Sequence, residues 1–235
     1  MRGERSAVTG EVNLLRVFTD ARGKFGSPLG VVSAGAAPAK DRHRIAAELG
    51  YGETVFIDDP TPGVGAARAE IYTPAVDLLF ASHPAVGAAW WLRERGTPIR
   101  TLQLRVGVLG VGYAGGLVSV QVFAEWTPEY ALHKLDSPQD VIDANPADYA
   151  NDRPHYVWAW IDKSARHIRS RAFAPELGVE GDEATGAAAI RITQYLGRDL
   201  IITQGAGSLI YTVWKARGWV GIGGRAVHDG RARIA

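Results

Sequence analysis

Short apolar runs broken by Gly- and Pro-bearing turns recur along the chain, and helical periods are few. Residues 14–19 (LLRVFT) read as a strand, DARGKFGSP as a turn, and LGVVS as a second strand. DRHRIAAEL (41–49) has helical spacing, and Gly50 suits the left-handed residue that ends a helix. GYGETVFIDD returns to a strand, with Glu53 at or just before its start. AEIYTPAVDLLF predicts a strand or hairpin around Pro74. In LLFASHPAVGAAWWL (78–92) a strand hands over to a helix at Ser82, His83 and Pro84.

PIRTLQLRVGVLGVGYAGGLVSVQVFAEW predicts two strands joined by a Gly-rich turn. Gly110, Gly112 and Gly115 match GxGxxG there, but a dinucleotide site needs a helix after the glycines, and LVSVQVF alternates like a strand. Residues 127–153, rich in Pro, Asp and Asn, predict short helices and loops. HYVWAWID reads as a strand, and RSRAFAPELGVEGDEATGAAAIRITQYLG as a second strand-to-helix unit. LIITQGAGSLIYTVW and GWVGIGGRAVHDGRARIA predict three closing strands.

That second unit repeats the first. HPAVGAA (83–89) aligns with DEATGAA (182–188), and Ile71-Tyr72-Thr73-Pro74 echoes Ala172-Phe173-Ala174-Pro175. Each helix start carries small side chains, which allow close approach of another backbone or a ligand. A helix N-terminus also leaves N–H groups and partial positive charge unsatisfied. Two such starts facing each other would hold a small anion such as a carboxylate. His83 and Asp182 would then stand at equivalent places, at the rim of a site between two similar lobes. The plainer alternatives are a turn histidine for His83 and a helix N-cap for Asp182.

The 235 residues suffice for one large domain or two lobes, and 46% hydrophobic with 22% charged residues is an ordinary globular balance. A net charge of +1 without basic runs argues against nucleic acid or an anionic membrane surface as partner. No run approaches about 18 apolar residues, so no membrane span is expected. Residues 1–10 read as a flexible leader rather than a secretory signal, and a cytoplasmic location is expected. The absence of cysteine excludes disulfides, thiolate metal sites and thiol catalysis. The six histidines show no ligand spacing, so no metal is expected. His43, His133 and His167 lie in polar contexts and read as surface residues. Trp90 and Trp91 point different ways on a helix, which places one of them at a packing interface.

Several ordered motifs together carry a resemblance. VFTD…FGSPLGVV (17–32), RIAAELGYGETVF (44–56), IYTPAVDLLFASHPAVGAA (71–89), RAFAPELGVEGDEATGAA (171–188), ITQG (202–205) and VGIGGRAV (220–227) resemble the PhzF-like proteins of phenazine biosynthesis. The resemblance implies the diaminopimelate epimerase type of fold: α+β, with two similar lobes, each a curved, mainly antiparallel sheet around a central helix. Residues 11–125 and 126–235 would form the lobes, with the final strand crossing back to the first. It further implies a homodimer and cofactor-free isomerase chemistry on a small carboxylic acid, as on trans-2,3-dihydro-3-hydroxyanthranilate. By motif match, Glu53 is the acid/base, with His83 and Asp182 beside it. One carboxyl group in a partly apolar cleft can remove and return a proton if burial raises its pKa. Ser27, Ser82, Pro84, Ala85, Gly186 and Ala187 are the candidate substrate-binding residues. The lack of cysteine argues against the two-thiol mechanism of related racemases.

The departures fall on the polar shell. Gly52 replaces the Ser of the family's SETVF motif, Ser27 the Asn of GNP, Ser82 the Gly of GHP, and Glu183 and Ala187 the Pro and Ser of DPATGSA. A buried hydrogen bond to a substrate is worth roughly 1–3 kcal/mol, so the ligand is expected to differ from the family's best-known one. The leading reading is an isomerase or epimerase moving a proton on a small carboxylate between two lobes. The alternative is a non-catalytic small-molecule-binding homologue. A hydrolase built on Ser82 or Ser208 with His83 is disfavoured, because adjacent side chains such as Ser82 and His83 diverge.

Overall fold

The computed structural model describes residues 10–60, 63–149, 153–174 and 183–234. Strand β1 (Gly10–Thr19) pairs antiparallel with β2 (Ser27–Ser33), and helix α1 (Arg42–Leu49) follows. Gly50 ends α1 in the left-handed region at φ 67°, as the sequence predicts. β3 (Thr54–Ile57), buried throughout, runs parallel to β2, and β4 (Ala66–Tyr72) turns back through a hairpin to β5 (Asp77–Leu78). Helix α2 (Ser82–Glu94) comes next.

The segment 101–123 holds three strands where two are predicted: β6 (Thr101–Leu104), β7 (Gly107–Ala114) and β8 (Leu117–Phe123). The β6–β7 turn at Arg105–Val106 carries no Gly or Pro signal before Gly107, so it is hidden within an apolar run. The β7–β8 turn uses Gly115 and Gly116, both at positive φ, as a tight hairpin requires. Gly110 and Gly112 sit inside β7, in a hairpin rather than before a helix.

Residues 127–153 hold a short helix, as predicted, and one strand beyond the prediction. They contain α3 (Pro138–Asp143), closed by a Ser137–Asp140 capping box, and a short strand, β9 (Ala131–Lys134). β9 pairs in parallel with β10 (His155–Asp162), which pairs with β11 (His167–Phe173). Helix α4 (Gly186–Leu196), β12 (Leu200–Gln204), β13 (Ser208–Trp214) and β14 (Trp219–Ile234) complete the chain. His133 and His167 are half-buried rather than surface residues. The strand pairings bring His133 Nε2 within 2.8 Å of His155 Nδ1, and His167 Nε2 within 2.7 Å of Thr203 Oγ1.

The pairings are mostly antiparallel, and β1, β2, β3, β4, β6, β7, β8 and β14 close on one another as a barrel. β14 closes it, pairing with β8 through Trp219–Gly224 and with β1 from Arg225 onward. β13, β12, β11, β10 and β9 extend the path from the other side of β14. α2 packs against β1, β2, β3, β8 and β14, and α4 against β13 and β14. Ten of the thirteen α2 residues are buried, Trp90 and Trp91 included. Small residues permit this: a Cβ at Gly87 would overlap Leu29 and lie 3.0 Å from Val17 Cγ2. No helix among the described residues is long and apolar enough to cross a membrane.

Candidate functional site

Glu53 stands where the chain enters β3. The four following residues are buried, so strand pairing fixes the backbone and leaves the carboxylate at the rim. His83 is the second residue of α2, and its Nδ1 lies 2.8 Å from Glu53 Oε2. Only 13% of the His83 side chain and 20% of the Glu53 side chain are exposed. His83 Nε2 is buried with no hydrogen-bond partner among the described residues. The plain turn-histidine reading thus misses its most consequential contact.

Both groups line a cavity of about 530 Å³, together with Ser27, Ser82, Gly186 and Ala187. Six of the predicted site residues therefore meet in one place. Pro84 and Ala85 do not line it. Both are buried in the body of α2, and the Ala85 N–H donates to Ala81 O at 3.3 Å, so it is not available to a ligand. Proline has no N–H to offer. Asp182 lies outside the described residues. The N-cap of α4 is Thr185, not Asp182.

The two helix starts abut: a Cβ at Gly186 would overlap Ser82 Oγ and lie 2.9 Å from Ser82 Cβ. Neither cap residue, Ala81 for α2 or Thr185 for α4, bonds its helix through a side chain. Thr185 Oγ1 instead accepts from Gln204 Nε2 at 2.7 Å. Among the described residues, neither cap residue's side chain engages the first-turn N–H groups of its helix.

Ser27 is held by a clasp between distant parts of the chain. The Gly26 N–H donates to Ser208 Oγ at 2.8 Å, and that hydroxyl donates to Glu183 Oε1 at 2.6 Å. Glu183 Oε2 accepts from the Ala206 N–H at 3.0 Å. Glu183, which replaces a proline in the family pattern, thus shapes the Gln204–Ser208 turn. Ser208, with its hydroxyl engaged on both sides, is placed as a strut and not as a nucleophile.

Sequence reasoning missed one wall of the cavity. Phe80, Trp126, Thr127, Pro128 and Tyr130 line it, four of them from the segment that follows β8. That segment is pinned from α4, where Arg191 donates to the carbonyls of Thr127 and Pro128. A cluster of three aromatic residues with Pro128 at 123–130 is the signal that would have found it. No Lys or Arg lines the cavity among the described residues. No group of three or more His, Asp or Glu side chains among them is arranged to hold a metal ion.

Comparisons with known proteins find similarity to PhzF-type proteins and, in fold, to an epimerase. A family model described as phenazine biosynthesis-like protein (PhzC-PhzF) matches residues 15–117. The trans-2,3-dihydro-3-hydroxyanthranilate isomerase of Pseudomonas aeruginosa is 27% identical over 198 residues, 69% of this chain and 70% of that protein. A PhzF-family crystal structure from Enterococcus faecalis superposes with a TM-score of 0.79 at 17% identity, covering 97% of this chain and 99% of the other. A hydroxyproline epimerase from Agrobacterium vitis superposes with a TM-score of 0.61 at 12% identity, covering 100% and 94%.

Proposed function

We propose, from the premise that the chain is a PhzF-like protein, that it is an isomerase or epimerase that moves a proton on a small carboxylic acid. The cavity is read as the cleft between two similar lobes, residues 11–125 and 126–235, with β14 crossing between them. The observation that carries the reading is the 2.8 Å contact between Glu53 and His83 inside that cavity.

In the basic form of the pair Glu53 is ionised and accepts from His83 Nδ1–H. Removing a proton from a substrate carbon places that proton on Glu53, and returning it at another position or face restores the carboxylate. This is acid/base work that one carboxyl group performs when a neighbour stabilises both its states. His83 fixes the orientation of the carboxylate, and both side chains are sheltered from solvent.

With no Lys or Arg on the wall among the described residues, binding of the substrate carboxylate falls to Ser27, Ser82 and the start of α4 at Gly186–Ala187. Hydroxyls and N–H groups at a helix N-terminus suit an anion. Asp182, from the aligned motif, is proposed as a further acid at the same site. The proton shift needs no other group than these.

Solvent deuterium incorporation, followed by mass spectrometry over a panel of small cyclic and amino carboxylic acids, tests the proposal. Wild type is expected to label a substrate carbon, and Glu53→Gln to lose at least about a hundredfold in exchange rate, the lower range for one acid/base group. Exchange that survives in Glu53→Gln removes Glu53 from the role. Tight binding with no exchange on any compound leaves a binding protein on an isomerase fold.

A further inference from the structure

Trp126 stands apart from every residue that the motifs single out. It lines the same cavity as Glu53 and His83, yet it follows β8, at the end of the short 3-10 turn Ala124–Trp126. Aromatic rings meet it on several sides. The Trp219 ring is 5.7 Å away at 78°, Phe123 is 6.4 Å away at 70°, and Phe80 is 6.4 Å away at 57°. From below it is limited by Gly107, where a Cβ would sit 3.2 Å from indole Cζ2 and Cη2. The chain just after it is tied to α4 through Arg191. An indole clamped in this way contributes a rigid apolar surface with little entropy to lose on binding.

The wall lacks cationic side chains among the described residues, and its aromatic surfaces are Phe80, Trp126 and Tyr130, beside the aliphatic Leu78, Pro28 and Pro128. Aromatic surfaces discriminate by geometry: a flat π-system stacks or packs edge-on against an indole, whereas a flexible chain gains area but loses rotational freedom. We infer that Trp126 is the specificity-determining residue of the site, selecting carboxylates that carry a flat unsaturated ring over open-chain ones of equal carbon number. The inference rests on the isomerase reading only for the location of the site.

Its test therefore uses equilibrium binding of probes that cannot turn over. Benzoate, cyclohexanecarboxylate and heptanoate share a carbon count but differ in flatness and flexibility. Calorimetric titration of the wild-type chain is expected to rank benzoate tightest. Trp126→Leu should weaken benzoate by about tenfold, the scale of one aromatic contact, and leave heptanoate within about twofold. Trp126→Phe should recover most of the preference. Trp219→Leu breaks the same aromatic cluster but lies outside the cavity, and it should keep the wild-type ranking. The inference is overturned if wild type shows no preference or no benzoate binding at millimolar concentration. It is equally overturned if Trp126→Leu keeps the ranking, or if Trp219→Leu loses it to the same degree. Deuterium exchange plays no part in these outcomes, so a failed acid/base assignment and a failed specificity assignment are told apart.

Discussion

Gly186 and Ser82 are the tightest point of the site, and their contact is a residue-scale commitment. A methyl group at Gly186 would overlap Ser82 Oγ, approach Ser82 Cβ at 2.9 Å and approach Ile222 Cδ1 at 3.2 Å. Ile222 is fully buried, so the methyl group cannot simply turn away. Gly186→Ala is expected to lower stability by about 1–3 kcal/mol, the range for overpacking, and to weaken ligand binding by parting the helix starts. Adding Ser82→Gly should restore most of the stability, as the two residues touch and must couple. Urea denaturation of the two single variants and the double variant measures this, and purely additive effects would refute the contact. At this scale the sequence was an uneven guide. Glu53 and His83 could be read because their motifs flank strands and helices of fixed register. Pro84 and Ala85 were read one step too far along the same motif, since helical geometry turns them into the interior. Trp126 was hidden because an aromatic residue after a strand reads as core until the fold shows a cavity beside it.

At the scale of elements, strands and helices with their own stop signals were legible: Gly50 after α1, Gly115–Gly116 between β7 and β8, and the β4–β5 hairpin around Pro74. β9 was not, because four residues in a Pro- and Asp-rich stretch become a strand only when β10 offers its edge. That pairing has a consequence for acid stability. It stacks the rings of His133 and His155 at 5.1 Å, with Tyr149 against both. His155 is 4% exposed, and burial, then His133, then Arg153 hold its pKa below the ordinary value. Burial likewise lowers His167, with Asp162 opposing. A lowered folded pKa means that the unfolded chain binds the proton first as pH falls. The stabilisation is therefore complete above the ordinary value of about 6.5 and is lost as pH drops through it toward the folded value, by at most about 1.4 kcal/mol per group per pH unit. Urea midpoints are expected to be lower at about pH 5.5 than at about pH 7.5. The double variant His155→Asn/His167→Asn should flatten that difference. An unchanged difference in the double variant would assign the effect to carboxylates instead.

At the scale of the whole molecule, β14 decides whether the chain behaves as one unit. The internal repeat was visible in two small-residue motifs, and the resemblance supplied the expectation that the final strand crosses back to the first half. The closing stretch reads as three strands with Gly turns, and β12, β13 and β14 are those three; β14, Trp219–Ile234, runs unbroken. Its glycines serve contact rather than turning. A Cβ at Gly223 would lie 2.5 Å from Val118 O, and one at Gly224 would lie 2.5 Å from the Phe18 ring. These two residues sit where β14 passes from β8 and β13 to β1. Because one strand is shared, neither set of pairings can open without disturbing the other. Unfolding in urea should therefore be a single transition, with far-ultraviolet circular dichroism and tryptophan fluorescence giving coincident midpoints. Removing residues 225–235 leaves β8 and β13 their partner but deprives β1 of one of its two partners and opens the barrel. That chain should lose the shared transition: the two midpoints separate, or the protein fails to fold and associates through the bared edge of β1. A truncated chain that unfolds once, at the wild-type midpoint, would show that β14 seals the barrel without coupling it. The cleft holding Glu53 and His83 would then depend on local contacts such as Gly26–Ser208–Glu183 for its shape.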